Sequence, residues 1–302
     1  MALNKENNSF VLTFAVGMCV VLAIALAGTY QALSKTIEDN ELFDQKLNVL
    51  IAVGLHSKQA LDEGALQGVY GEQLEDPTQL AELSARHAAK TREELETLYS
   101  ELIRSEVLEV VREEVTKQVK RGGEMVDLTE TVVKDLVPAG FAVDELAARQ
   151  FEEGKKPEAE RREFAPFYTR VDENGAPVAY CLPVSGLGLW GQIYGYLALE
   201  SNLDDVQGIT FYKHKETPGL GGNIDIPEWQ RQWTNKSILD DAGEFVSVIV
   251  KKGAVDPSVP VEAAHYVDGL SGATITSNGV TNFVREDLQT YWPHLQRLRE
   301  QD

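Results

Sequence analysis

The sequence predicts an α+β protein: a single transmembrane helix at the amino terminus, then a domain of antiparallel strands flanked by helices. Three features predict it. The stretch from Phe10 to Gly28 holds no charged residue, and the charge-free run extends from Asn7 to Ser34. Residues 82 to 119 are rich in Glu, Lys, Arg, Ala and Leu, a helical composition. From Phe164 onward, short runs of Val, Ile, Tyr and Phe are separated by Gly, Pro, Asn or Asp, the punctuation of strands and turns.

Each element follows from its residues. Phe10 to Gly28 is nineteen residues long, and at about 1.5 Å per residue it nearly matches a hydrocarbon core of roughly 30 Å. Ala25-Leu26-Ala27 has the small-x-small form of a signal-peptide cleavage site. The apolar run exceeds the roughly 7 to 15 residues of a signal core, however, and Lys5 is a weak positive flank, so an uncleaved anchor is the preferred reading. Lys5 before the span and Lys35 after it nearly balance, so orientation rests on the export-like character of the segment: terminus inside, domain outside. The chain then divides into a cytoplasmic terminus (residues 1–8), a transmembrane helix (9–31), a helical acidic extracytoplasmic region (32–165) and a second domain (166–302).

After the span, Leu33, Ile37, Leu42, Leu47, Val49, Leu50, Ile51 and Val53 continue a helix that Gly54 stops. Between Glu82 and Val119, Leu95, Leu98, Leu102, Val107, Val110 and Val115 recur at spacings near three to five, which reads as an amphipathic helix packed by one face. Residues 150–163, with Gly154 and Pro157, read as a connector or frayed helix. Strands are expected at Phe167–Val171, Val178–Val184, Gln192–Leu199, Val206–Tyr212 and Phe245–Val250, the first two joined as a hairpin across Asp172 to Gly175. Val280, Phe283, Val284, Leu288 and Tyr291 place a closing helix after Asn278, with Ser277 or Asn278 as its N-cap.

Composition removes several functions. The 302 residues hold 28 Lys and Arg against 48 Asp and Glu, a net charge of −20 that repels nucleic-acid backbones and anionic lipid. The 43% apolar content is enough for a real core. Cys19 and Cys181 are far apart and read as small apolar fillers rather than a disulfide or metal site. His56, His87, His214, His265 and His294 show no metal-ligand spacing, and the chain has neither a Walker A sequence nor a G-x-S-x-G elbow. A hydrolase reading has no support.

Three glycine-containing segments remain. Gly186 to Gly191 matches G-x-G-x-x-G literally, but a strand rather than a helix follows it, which argues against dinucleotide binding. Its glycines let a planar apolar ligand approach Leu189 and Trp190, or else form a tight hairpin with a core Trp. Glu216 to Gly222 pairs a Pro-Gly type II turn with a carboxylate, and could turn backbone N–H groups toward a ligand. Asp268 to Gly279 is a hydroxyl-rich turn entering a helix; it reads as an ordinary capped loop or as an anion site with an accessible Thr274.

The segment Ser271 to Val280 (SGATITSNGV), with Asp268-Gly269-Leu270 before it, resembles the covalent flavinylation motif of the C-subunit family of the Na+-translocating NADH:quinone reductase. The resemblance continues through Leu182–Trp190, Glu216–Gly222, Pro227–Trp233 and Ile249–Ala254, in family order, and includes the single amino-terminal span. Residues 56–165 match no motif of the family, and Lys252 stands where glycine is expected.

What the resemblance implies is an FMN-binding domain with FMN attached to the Thr274 hydroxyl as a phosphoester by a flavin transferase. The attachment turn is Ser271, Gly272, Ala273 and Thr274. Leu189 and Trp190 would cover the flavin ring, and Glu216, Thr217 and Leu220 would contact its edge or ribityl chain. Lys251 is added as a cation that would favour a negatively charged reduced ring. The chain would relay electrons within a bacterial inner-membrane complex that oxidises NADH, reduces quinone and pumps Na+, with its flavin domain on the periplasmic side. It would hold no NADH site, and its uncharged span leaves the Na+ path to partner subunits. The G-type subunit of the Rnf complex shares the attachment motif, and a membrane-anchored flavin-binding sensor without turnover is a third reading.

Overall fold

A computed structural model describes residues 8–57, 77–121 and 124–301. Lys5 and residues 58–76 of the expected helical region lie outside the described residues. The chain divides into two compact units, one up to Lys46 and one from Leu47 onward.

The first unit consists of helix α1 (Asn8–Ala52) up to Lys46. It is long and apolar enough to cross a membrane, and its apolar side chains, from Val11 to Leu33, are exposed. Two of its hydroxyls bond back to the helix: Thr29 Oγ1 donates to the carbonyls of Ala25 and Leu26, and Ser34 Oγ to that of Gln31. Such back-bonding lets a hydroxyl sit on an apolar helix surface without an unsatisfied donor.

In the second unit the last residues of α1 enter the core, and Val49, Leu50, Ala52 and Val53 are almost wholly buried. Gly54 stops the helix as the sequence predicts. With φ at +75° it lets its own N–H donate to Ile51 and that of Leu55 to Leu50, a Schellman closure that an L side chain would strain.

Helix α2 (Pro77–His87) and helix α3 (Arg92–Leu102) follow. Thr91 and Glu94 form a reciprocal capping box at the start of α3. The predicted helix over residues 82–119 is corrected here. It stops at Leu102, and Ile103–Arg121 is strand β1, paired antiparallel with β2 (Glu124–Pro138). Val107, Val110 and Val115 fit a helical face by spacing, but they are β-branched and meet partners distant in sequence, which decides the matter. Ile103–Val110 also pairs with β3 (Glu163–Val171). The expected division at residues 165/166 therefore falls inside a strand of one continuous sheet.

Helix α4 (Leu146–Gly154) and an irregular stretch occupy the predicted connector. Strands β4 (Pro177–Leu187), β5 (Gln192–Glu200) and β6 (Val206–Lys213) complete an antiparallel sheet of order β2-β1-β3-β4-β5-β6. The β3–β4 turn is the predicted one: the Asp172 carboxylate accepts from the N–H groups of Asn174 and Ala176, and Gly175 takes φ +84°. Beyond β6 come helix α5 (Pro227–Gln230), strand β7 (Ile249–Val250), helix α6 (Pro260–His265) and strand β8 (Tyr266–Val267). Of the predicted strand Phe245–Val250 only the last two residues are strand, paired parallel to β8.

Helix α7 (Thr274–Arg299) is the last element and begins five residues before the expected start after Asn278. Its Val280, Phe283, Val284, Leu288 and Leu295 enter the main core with Leu182, Leu197 and Phe211 of the sheet. The helix approaches β4 so closely that a Cβ at Gly186 would lie 2.3 Å from that of Phe283. Cys181 is a buried apolar filler, as predicted, and Cys19 is exposed on α1.

Candidate functional site

Three loops meet at the head of α7. The first is the β4–β5 turn, closed by Gly188 N–H donating to Gly191 at 2.9 Å. Its strand–turn–strand form agrees with the argument against a dinucleotide site. The alternative of a core Trp is corrected: Trp190 is 64% exposed, and Leu187 and Leu189 stand exposed beside it. A two-residue tip leaves no backbone to cover them.

The second loop carries Glu216 to Gly222. The Pro218-Gly219 turn forms as expected, with Gly219 at φ +77° and Leu220 N–H donating to Thr217 at 3.1 Å. Two of the N–H groups that could have faced a ligand do not: those of Leu220 and Gly222 both donate to the Thr217 carbonyl. Thr217 and Leu220 are exposed, whereas Glu216 is buried. One Glu216 oxygen accepts from the Trp190 N–H at 2.9 Å, and the other accepts from the Thr276 hydroxyl. A Cβ at Gly188 would lie 2.6 Å, and one at Gly221 2.5 Å, from these oxygens. Both glycines thus clear the space for the carboxylate. His214 Nδ1 accepts from the Glu216 N–H, and its Nε2 faces Asp225 at 3.2 Å.

The third loop is the Asp268–Thr274 turn. Asp268 is fixed by two side chains of the Pro227–Trp233 segment: Trp229 Nε1 donates to its carbonyl at 2.8 Å and Gln232 accepts from its N–H at 2.9 Å. The Asp268 carboxylate accepts from Val255. A Cβ at Gly269 would lie 2.1 Å from the Lys251 carbonyl oxygen, so the backbones meet only because that residue is glycine. Gly272 takes φ +71°, and Leu220 packs against it.

The predicted N-cap is corrected at this point. Ser277 lies within the first turn of α7, and its Oγ accepts from the Leu270 N–H at 3.3 Å. The residue at the N-cap is Ala273, which is buried and offers no side-chain acceptor. The first-turn N–H groups therefore have no side-chain cap, and the positive end of a long helix faces outward at Thr274.

A cavity of about 580 Å³ opens there, lined among others by Lys251, Lys252, Ser271, Gly272, Thr274 and Asn278. That volume is within the usual range for a small-molecule site. Thr274 is exposed on it. The structure thus brings Ser271, Gly272, Thr274 and Lys251 to one cavity. Leu189, Trp190, Glu216, Thr217, Leu220 and Ala273 are not among its lining residues, although Glu216 ties Trp190 to α7 and Leu220 touches Gly272.

Lys251 differs from the expected free cation. Its ammonium pairs with Glu262, which holds that carboxyl below the usual range. The exposed Lys252 is the lining cation without an ion pair among the described residues. Thr276, His214 and Asp225 escaped the sequence reading, since only tertiary contacts give them a role; the signal for Thr276 was its place in the hydroxyl-rich run.

The fit to a flavin phosphate is physical. An uncapped helix N-terminus, a nearby lysine and an exposed hydroxyl favour a bound phosphate ester, and the exposed Leu189, Trp190 and Leu220 offer apolar surface to a ring system.

Comparison with known proteins supplies the family. A family model described as FMN-binding domain matches residues 188–289. The chain is similar to the C subunit of the Na(+)-translocating NADH-quinone reductase of Pseudomonas aeruginosa, 31% identical over 93% of this chain and 91% of that one. It is similar to the Yersinia pestis protein of the same name, 30% identical over 98% and 95%. The crystal structure of Shewanella oneidensis NqrC matches with a TM-score of 0.51 at 22% identity, covering 70% of this chain and 90% of that chain, and shows a shared fold.

Proposed function

We propose, for a chain that belongs to the C-subunit family of the Na+-translocating NADH-quinone reductase, that FMN is held at the head of α7 by a phosphoester to Thr274. The chain is an electron-relay subunit of that oxidoreductase, it binds FMN, and it works with the other subunits of the complex at a membrane. The match over nearly the whole chain favours this family over the Rnf-complex and sensor readings.

When bound, FMN supplies a group that takes and returns electrons singly or in pairs. The protein's own residues do the rest. Thr274 is an attachment point and not a nucleophile of the redox reaction. The uncapped N–H groups of α7 and the Lys252 ammonium offset the charge of a phosphodiester. Leu189, Trp190 and Leu220 shield the ring from water, and Thr217 offers a hydroxyl at their edge. Glu216 positions Trp190 and Thr276 without reaching the ring. Lys251, neutralised by Glu262, orders the loop that carries Lys252.

The observation that carries this reading is the exposed Thr274 hydroxyl, first residue of an uncapped helix, opening on a cavity of ligand size. A flavin transferase completes the attachment, and the domain that carries it lies on the periplasmic side of the inner membrane. Coexpressed with such a transferase, the denatured chain is expected to stay fluorescent and gain the mass of FMN, while Thr274→Val loses both. Flavin retained covalently by that variant would overturn the assignment.

A further inference from the structure

Away from the flavin site, another cavity of about 580 Å³ is lined by the loop before β7, by β7 and β8, and by α7, all within the unit that begins at Leu47. That volume suits a small molecule. The wall has two kinds of surface. Phe245, Ile249 and Tyr266 make it apolar and partly aromatic, and Phe245 packs on Trp292 of α7 with ring centroids 5.4 Å apart. Ser247, Arg285 and Gln289 supply hydrogen-bond donors.

Ser247 is wholly buried, yet its hydroxyl has no hydrogen-bond partner among the described residues. Its φ of +66° is a conformation that suits glycine and strains a residue with a side chain. A bulge imposes it: the N–H groups of Val246 and Ser247 both donate to the Ile238 carbonyl, at 2.9 and 3.1 Å. Glycine would form the same bulge at lower cost, so the bulge accounts for the backbone and leaves the hydroxyl unexplained. A buried hydroxyl without a partner is costly, and on a cavity wall an incoming group relieves that cost.

Arg285 is half-buried and makes no ion pair among the described residues. Asp240, the one carboxylate among the described lining residues, is exposed and serves its own turn, accepting from the N–H groups of Ala242 and Glu244. His265 ties α6 to the loop before β7, its Nδ1 donating to the Ser237 carbonyl at 2.8 Å.

We infer that this cavity binds a small aromatic carboxylate, its ring against Phe245 and Tyr266, its carboxylate on the Arg285 guanidinium, and one carboxylate oxygen accepting from the Ser247 hydroxyl. The planar guanidinium fork matches a carboxylate in shape and charge, and the exposed Gln289 adds a neutral donor. The site shares no lining residue with the cavity at Thr274 and does not depend on the flavin.

The test uses the full-length flavinylated protein in neutral detergent. Binding of 4-fluorobenzoate is read by its fluorine NMR signal, with 4-fluorobenzamide as a neutral molecule of nearly the same shape. The acid is expected to bind saturably, to be displaced by benzoate, and to bind about tenfold or more tightly than the amide. Arg285→Gln should weaken it about tenfold or more, as loss of a charge-assisted hydrogen bond does. Ser247→Gly separates the ligand role from the bulge. It relaxes the strained φ, so the melting temperature is expected to hold or rise while affinity falls about fivefold. Because that variant removes strain, it tests the site even if Arg285→Gln fails to fold. No saturable binding of 4-fluorobenzoate, equal binding of the amide, or affinity unchanged in Ser247→Gly would overturn the proposal.

Discussion

Both oxygens of Glu216 are engaged inside the protein, one by the Trp190 N–H and one by the Thr276 hydroxyl. The side chain therefore joins the turn that presents Trp190 to the helix that presents Thr274. Glu216→Ala strands two donors in a buried place and is expected to cost about 1–3 kcal/mol of stability. Urea denaturation measures this, and an unchanged midpoint would contradict the role. The variant should also weaken quenching of flavin fluorescence by Trp190, a change that a remote packing defect would not produce. Asp287 behaves differently. Burial pushes its carboxyl up to about 7, against the opposing hydrogen bond from the Ser185 N–H at 2.7 Å. The folded state thus holds a proton that the unfolded chain releases near pH 4, so this group's contribution to stability falls as pH rises from about 4 through 7. Asp287→Asn, which keeps an acceptor for Ser185, should gain on the order of 1 kcal/mol over the wild type at pH 8 and little at pH 4. Thermal denaturation at the two pH values checks this, and an equal difference at both would refute it.

At the level of elements, the site depends on how closely α7 lies on β4. Gly186 permits that approach, because a Cβ there would collide with the Cβ of Phe283, an atom too near the backbone to swing away. Gly186→Ala is expected to lower stability by about 1–3 kcal/mol and to shift the head of α7 relative to the β4–β5 turn. Melting temperature and the visible flavin spectrum report the two effects, and a variant unchanged in both would refute the packing account. The β1–β2 pair shows the opposite case, in which local spacing misleads. Val107, Val110 and Val115 satisfy a helical spacing as readily as a strand, and Thr91 with Glu94 does start a genuine helix just before them. Only the pairing of Ile103–Val110 with β3, and of β1 with β2, selects the strand. Spacing within a segment carries no information about which distant segment will pair with it.

On the scale of the molecule, a strongly acidic domain follows an apolar helix, and the proposed periplasmic placement has a direct check. In cells with a permeabilised outer membrane, external protease is expected to degrade the chain beyond Lys35; protection until the inner membrane is lysed would reverse the orientation. By itself the amino-acid sequence determined the membrane-spanning length of α1, the stop at Gly54, strands β3 to β6, the β3–β4 turn and the accessible Thr274. Each of these is written in contiguous residues: an uncharged run, a glycine at a helix end, alternating β-branched and aromatic side chains, a hydroxyl in a small-residue turn. The tertiary structure alone decided that residues 103–121 and 124–138 pair as antiparallel strands, that Trp190 faces outward, that Lys251 is neutralised by Glu262 and that Glu216 acts within the protein. It also decided that Ser247 and Arg285 share one cavity. Those outcomes are set by atoms brought together from distant parts of the chain, where the free energy of burying and pairing groups outweighs local propensity.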